Sequence, residues 1–172
     1  MLASECAWAI LRAEHTRIRE LLGLVARALK TADWTRPGPQ AATLVEHIER
    51  LEAFEKTTHH PKGVVLLKML RGRSAEADKL LDQLELESER CDDLLSQSKA
   101  LLKLAESGEM GAATAVEPLL QEHGRLMHHH LDQEDTLLHS QTALLLTREE
   151  WVAVVSSMSK VVGPRTTVPP AR

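Results

Sequence analysis

The stretch HHHLDQEDTLLH, residues 128–139, carries four of the nine histidines of the chain and three acidic side chains. Because successive residues of an α-helix are turned by about 100°, these side chains cannot all lie on one face. Leu126 and Leu137 fall within about 40° of His130 on such a helix, and Glu134 falls on the same side. The pattern therefore predicts an amphipathic helix that turns His130 and Glu134, an i,i+4 pair, toward an apolar core.

The other polar residues of this helix are assigned by the same phase. Those that fall near the opposite pole or on a flank are expected to be solvated: His128, His129, Asp135 and His139. His123 falls inside the apolar stripe, where a single histidine is more often a hydrogen-bonded core residue than a metal ligand. We therefore expect only His130 and Glu134 of this helix to serve a buried site.

The composition favours an all-α protein without nucleic-acid or membrane partners. Hydrophobic residues make up 43% of the 172 residues, but aromatic residues only 2%, so the core must be mainly aliphatic. The net charge of −4 shows no basic surplus, which argues against nucleic-acid binding. The start of the chain does not resemble a secretory signal, and no long apolar run predicts a membrane span. Two cysteines suit a reducing compartment, and we expect the cytoplasm.

Glycine, proline and capping residues divide the chain into helices. Pro61 is expected to kink or restart the second helix, and Thr147 with Glu150 forms a predicted capping box for a short last helix. Ser4 is the predicted cap of the first helix. The predicted helices cover about 5–30, 40–70, 75–106, 112–144 and 148–161. They predict an up-down-up-down four-helix bundle with a short C-terminal fifth helix in a domain of residues 1–162, followed by a disordered tail, 163–172.

Helical phase also places two histidines of the first half of the chain inward. His15 and His59 fall beside apolar side chains of the first and second helices. Burying ionisable groups is unfavourable unless they are paired or bound to a metal. Bundle cores commonly hold metal ions through side chains of facing helices. The sequence therefore predicts a metal site formed by His15, His59, His130 and Glu134.

Three segments resemble the motifs of the hemerythrin-like, HHE cation-binding domains. RAEHTRIREL, with His15, is similar to the EH motif of the family's first helix, and THHPKGVVLLKML, with His59, to its HHPKE motif. HHHLDQEDTLL is similar to its HxxxE motif, with His130 and Glu134. The segment LTREEWVAV is similar to one that often follows these motifs. The resemblance covers nearly the whole chain.

This resemblance carries expectations of its own. It implies a four-helix bundle that holds non-haem iron, as one or two ions, with zinc or manganese as alternatives. Five histidines and two bridging carboxylates form the typical di-iron site of the family. Members of the family bind oxygen, sense oxygen, nitric oxide or iron, or repair iron centres.

The chain departs from the family pattern at two positions. Gly63 stands where the HHPKE motif has its glutamate, and Ser88 stands where the third helix normally offers a histidine. A serine at the centre of an apolar stripe also has another interpretation, a hydrogen bond to a carbonyl of its own helix. With these ligands absent, we expect one Fe(II), Zn(II) or Mn(II) rather than a stable iron pair. His60 and Glu55 are candidate replacement ligands.

Three functions are compatible with such a site. The four inward side chains favour a metal-binding sensor or binder of a small ligand such as O2 or NO. Gly63 and Ser88 are the reason to consider a metal-free bundle that serves as an interaction scaffold. A mononuclear metalloenzyme with Glu134 as base or ligand is the least favoured, because no inward nucleophile accompanies it and Cys91 is expected to be a core residue.

Overall fold

The computed structural model describes residues 2–161, which form helices joined by short connections without a β-strand between these limits. The predicted disordered tail lies outside the described residues. Two of the long helical segments are interrupted by a π-helical turn. The helices are α1 (Ala3–Leu29), α2 (Pro39–Phe54), α3 (His60–Leu70), α4 (Ala75–Glu106), α5 (Met110–Ala113), α6 (Val116–Gln133), α7 (His139–Leu145) and α8 (Arg148–Met158). The π turns are Glu55–His59 and Glu134–Leu138, and a 3-10 turn covers Ala32–Thr35.

The four long segments pack as a closed bundle. In sequence, α1 packs against α2, α2 against α4, α4 against α6, and α6 returns to α1. Their apolar faces form three successive layers, of which the middle one contains Ile18, Leu51 and Leu131, each almost fully buried. The all-α bundle predicted from the aliphatic composition is thereby confirmed. None of the described helices is both long and apolar enough to cross a membrane.

The short C-terminal helix predicted from the sequence is α8, and it closes one end of the bundle. Thr147 Oγ1 accepts a hydrogen bond from the backbone N–H of Glu150 at 3.2 Å, and Glu150 Oε2 accepts one from the N–H of Thr147 at 2.9 Å. The predicted capping box is therefore present. Behind it, Trp151 and Val154 are buried in the apolar layer that also contains Trp8 and the end of α3. The helix ends at Met158, three residues earlier than the predicted 161.

The predicted N-terminal cap of the first helix was wrong. Helix α1 begins at Ala3, so Ser4 lies within its first turn. The Glu5 carboxylate accepts a hydrogen bond from the backbone N–H of Leu2 at 3.0 Å. This bond satisfies one of the backbone N–H groups that lack a partner within the helix at its start, and the helix begins before the serine.

The two π turns shift the helical phase where the predicted ligands lie. The backbone N–H of His60 bonds to the carbonyl of Glu55, and the N–H of His139 bonds to that of Glu134, each spanning five residues. Pro61, which has no N–H to donate, falls in the first turn of α3, where the helix restarts as predicted. Such wide turns often occur at functional sites.

The second π turn also places three side chains differently from the prediction, which assumed a regular α-helix throughout. Leu137, predicted to be inward, is 53% exposed, and Leu138 is buried in its place. Asp135 and His139, predicted to be solvated, are half-buried, and the His139 ring packs edge-on against Trp8. A π turn adds a residue to one helical turn, so every later side chain is rotated from its expected position.

His123 is the buried histidine outside the predicted site. It is 1% exposed, and its Nε2 has no hydrogen-bond partner among the described residues. Burial lowers the pKa of His123 to about 4, so the ring is neutral in the folded protein at neutral pH. It is therefore a core side chain, although it lacks the hydrogen bond that we expected for it.

This burial predicts a specific loss of stability in acid. The pKa of an unfolded histidine is about 6.5, so as the pH falls below that value the unfolded chain takes up a proton that folded His123 resists. The stability that neutral His123 contributes is complete above about pH 6.5 and is lost toward pH 4. We expect acidification from pH 7 to 4.5 to destabilise the wild type by about 2 kcal/mol more than His123→Leu, as measured by urea denaturation. His128→Gln, an exposed change in the same helix, is the control and should match the wild type; equal acid sensitivity of wild type and His123→Leu would contradict this account.

Candidate metal centre

Three imidazoles from three helical segments converge on one buried carboxylate. His15 of α1 places its Nε2 2.8 Å from Oε2 of Glu134. His59, the last residue of the first π turn, places its Nε2 3.5 Å from the same oxygen. His130 of α6 places its Nε2 3.3 Å from Oε1. The structure thus brings together the four side chains that helical phase had selected.

The cluster lies deep within the bundle. His15 is 0% exposed, His59 5% and Glu134 8%, and one donor atom from each of these three residues lies within 4.8 Å of the others. His130 is slightly more accessible, with 12% of its side chain exposed. The rings of His15 and His59 stand edge to face with centroids 4.9 Å apart. This is the compactness that a single ion with several protein ligands requires.

Each imidazole also faces a second carboxylate through its other nitrogen. Nδ1 of His15 lies 2.7 Å from Asp135 Oδ1, and Nδ1 of His59 lies 3.0 Å from Glu14 Oε2. Nδ1 of His130 lies 3.4 Å from Glu87 Oε2, but neither of these atoms makes a hydrogen bond. The three outer carboxylates were not predicted from the sequence. The hydrogen bonds to Asp135 and Glu14 orient the rings of His15 and His59 so that Nε2 of each points at Glu134.

The short contact between His15 and Glu134 is unfavourable unless a cation lies between the two groups. A carboxylate only accepts hydrogen bonds, so Nδ1 of His15 carries the proton that is donated to Asp135. Metal binding requires an imidazole without a second proton, and in that form Nε2 presents a lone pair. That Nε2 is buried and makes no hydrogen bond, although an oxygen of Glu134 lies 2.8 Å away. Imidazole and carboxylate are both ligands of divalent transition metals. The residues present therefore fit a metal ion.

The electrostatics of the cluster favour positive charge. Burial alone would lower the pKa of His59, but its contacts with Glu134 and Glu14, together with the charges of Glu134 and Glu55, raise it to about 10. Burial would raise the pKa of Glu134, yet the imidazoles of His130, His15 and His59 hold it well below its usual range. The same field that holds a proton on His59 would also hold a metal cation, which must displace that proton on binding.

The two candidate replacement ligands are placed differently. Glu55, at the start of the first π turn, lines a cavity beside the cluster, and its Oε1 is buried without a hydrogen-bond partner. Burial is the main reason that the pKa of Glu55 is raised. His60 is exposed at the rim of the same cavity. Since consecutive helical residues point about 100° apart, His60 diverges from His59 and does not join the side chains around Glu134.

Gly63 and Ser88 face each other across this cavity. Its volume is about 230 Å³, and it also reaches His59, His130 and Glu134. A Cβ built on Gly63 would meet nothing within 4 Å. The back-bonded serine that we considered for Ser88 is found instead at Ser98, whose hydroxyl donates to Leu94 O at 2.7 Å. The two positions that depart from the family pattern therefore leave open space next to the remaining ligands.

Comparison with known proteins agrees with this arrangement. A model of the hemerythrin HHE cation-binding domain matches residues 6–141, which include every residue of the cluster. A comparison with curated proteins gives no match. The family match spans most of the chain, from near the start of α1 into α7. The chain belongs to the hemerythrin HHE cation-binding domain family.

Proposed function

We propose that the protein binds one divalent transition-metal ion and acts with it as a sensor or binder of a small ligand such as O2 or NO in the cytoplasm. The ligands are His15, His59, His130 and Glu134, and iron(II) is the favoured ion, with zinc or manganese as alternatives. Two histidines and one carboxylate with open positions form a recognised arrangement for non-haem iron.

One observation carries this proposal: His15 and His59 each have Nε2 at Glu134 and Nδ1 hydrogen-bonded to a carboxylate of their own. A ligating histidine in a metalloprotein almost always has such a partner on its second nitrogen. Ion pairing alone does not require the repetition of this arrangement on two rings. The outer partners of His15 and His59 are in turn compensated, since Asp135 pairs with Arg19 at 3.0 Å and Glu14 pairs with Lys62.

A single ion is favoured over a pair by the two missing ligands. Gly63 has no side chain, and the Ser88 hydroxyl is a weak ligand for iron at neutral pH. One ion needs no further carboxylate, because His15, His59, His130 and Glu134 already supply four ligands. When bound, the metal would supply an electrophilic centre with a position open to a small ligand, and the buried imidazoles would keep bulk water from most of its surface.

The first prediction concerns metal content. Protein purified without a tag and loaded anaerobically with Fe(II) or Zn(II) should hold about one ion per chain, and its melting temperature should rise with loading. His59→Ala and Glu134→Ala should reduce the content below about a tenth of an ion, because each removes a ligand from the centre of the cluster. His128→Ala, an exposed change, is the control. Wild-type protein that takes up no metal by elemental analysis and melts at an unchanged temperature would favour the metal-free scaffold instead.

The outer carboxylates supply the second prediction. Asp135→Asn should weaken zinc binding about 10–100-fold, as measured by competition with a chromophoric chelator, because it removes the partner that orients His15. Asp132→Asn is the matched control: Asp132 also pairs with Arg19, at 2.9 Å, but is exposed and lies outside the cluster. Equal effects of the two substitutions would mean that the pairing with Arg19, not the contact with His15, matters.

The third prediction restores the missing ligands. Gly63→Glu combined with Ser88→His should raise the iron content from about one to about two ions per chain and create the near-ultraviolet absorption of a bridged iron pair. Gly63 has room for a side chain, and both positions line one cavity. The double change to leucine, Gly63→Leu with Ser88→Leu, occupies the same space without donor atoms and should stay at one ion. If the Gly63→Glu, Ser88→His variant binds no second ion, our placement of the missing ligands is wrong.

A further inference from the structure

We propose that the cavity between Gly63 and Ser88 binds a small alkylammonium ligand, whose cationic head lies at Glu55 and whose alkyl chain lies along the apolar wall. This inference rests on the proposed function in one respect, since the ligand would lie beside the metal ion. Alkylammonium ions are thus the class of small molecule that the site would recognise in addition to a diatomic gas.

The cavity has room for a small organic ligand. Its volume of about 230 Å³ is several times the roughly 30 Å³ that one water molecule occupies in the liquid. A diatomic molecule would leave most of this space to solvent. The cavity lies between the segment 55–67 on one side and α4 on the other, and it reaches the cluster at Glu134.

The charge of the lining selects a cation. No lysine or arginine is among the described residues that line the cavity, whereas five carboxylates are: Glu55, Glu85, Glu89, Asp92 and Glu134. Glu85 is paired with Arg71 at 3.2 Å. In the part of the chain that the structure describes, neither Glu89 nor Asp92 forms an ion pair with a basic side chain. Carboxylates thus outnumber the three imidazoles of the wall, which are His59, His60 and His130, and this wall favours a cation over an anion.

Glu55 is a specific partner for an ammonium head. It lines the cavity, and its Oε1 is fully buried without a hydrogen-bond partner. A buried carboxylate oxygen without a donor is unfavourable. An alkylammonium group has three N–H donors and a single positive charge, so it would satisfy this oxygen and compensate the buried charge together.

The apolar part of the wall distinguishes an alkylammonium from a bare metal cation. Val64, Leu67 and Leu84 line the cavity, and Leu84 is 1% exposed. Burying an alkyl chain against these side chains is favourable, while a hydrated inorganic cation gains nothing from them. Acidic and apolar walls together therefore suit a ligand with a charged end and an aliphatic body.

Titration of zinc-loaded, full-length protein with n-butylammonium chloride tests this inference. Backbone amide NMR signals of residues 63, 64 and 88 should shift saturably, and zinc keeps the protein diamagnetic. 1-Butanol, which has the same shape without the charge, should bind at least about tenfold more weakly, and butyrate should not bind. Glu55→Gln should weaken butylammonium binding at least about tenfold, and the Gly63→Leu, Ser88→Leu double variant should abolish it. Glu122→Gln, a change on α6 outside the cavity lining, should leave it unchanged.

Two results would overturn the inference. Equal affinities for 1-butanol and butylammonium would mean that the cavity selects by shape alone. Uptake of a second zinc ion by the wild type, with displacement of bound butylammonium, would mean that the cavity is a metal position. Elemental analysis of the same samples separates this test from the test of the proposed function. If the protein binds butylammonium but never takes up a metal ion, the cavity site is retained and the metal site is refuted.

Discussion

The buried carboxylate of Glu134 is the constraint around which the bundle is organised. A carboxylate that is 8% exposed must be compensated, and it is compensated by three imidazoles from separate helical segments. The rings of His15 and His59 each hydrogen-bond to a further carboxylate on the far side, which brings Asp135 and Glu14 inward. The helices are thus fixed relative to one another by directional polar contacts as well as by the apolar layers above and below. Such a network is unfavourable if any member is left unpaired.

The π turns explain how one helix supplies both sides of this network. Glu134 contacts Nε2 of His15, and the next residue, Asp135, contacts Nδ1 of the same ring. Neighbouring residues of a regular α-helix diverge by about 100°, which makes it difficult for them to bracket one imidazole. The wide turn that begins at Glu134 lets both carboxylates reach the ring. The local distortion is therefore part of the site.

Helical phase predicted the fold and the four central side chains because both depend on a periodic apolar face. Its failures begin where the period changes. Asp135 was assigned to solvent because the added residue of the π turn cannot be foreseen from hydrophobicity. Glu14 and Glu87 were missed for another reason: each is stabilised by a residue distant in sequence, Lys62 and His130 respectively, and periodicity within one helix carries no information about partners on another.

The open cavity and the intact cluster bear on the choice between a metal site and a metal-free scaffold. A bundle that served only as a scaffold would gain stability if its buried ion pairs were replaced by apolar side chains of similar volume. Here the polar side keeps three imidazoles close to Glu134, while on the other side Gly63 and Ser88 stand in place of the two family ligands. A loss confined to one side leaves enough ligands for one ion and space beside it for a second molecule. The open half of the site is therefore better understood as room for a ligand than as a sign of decay.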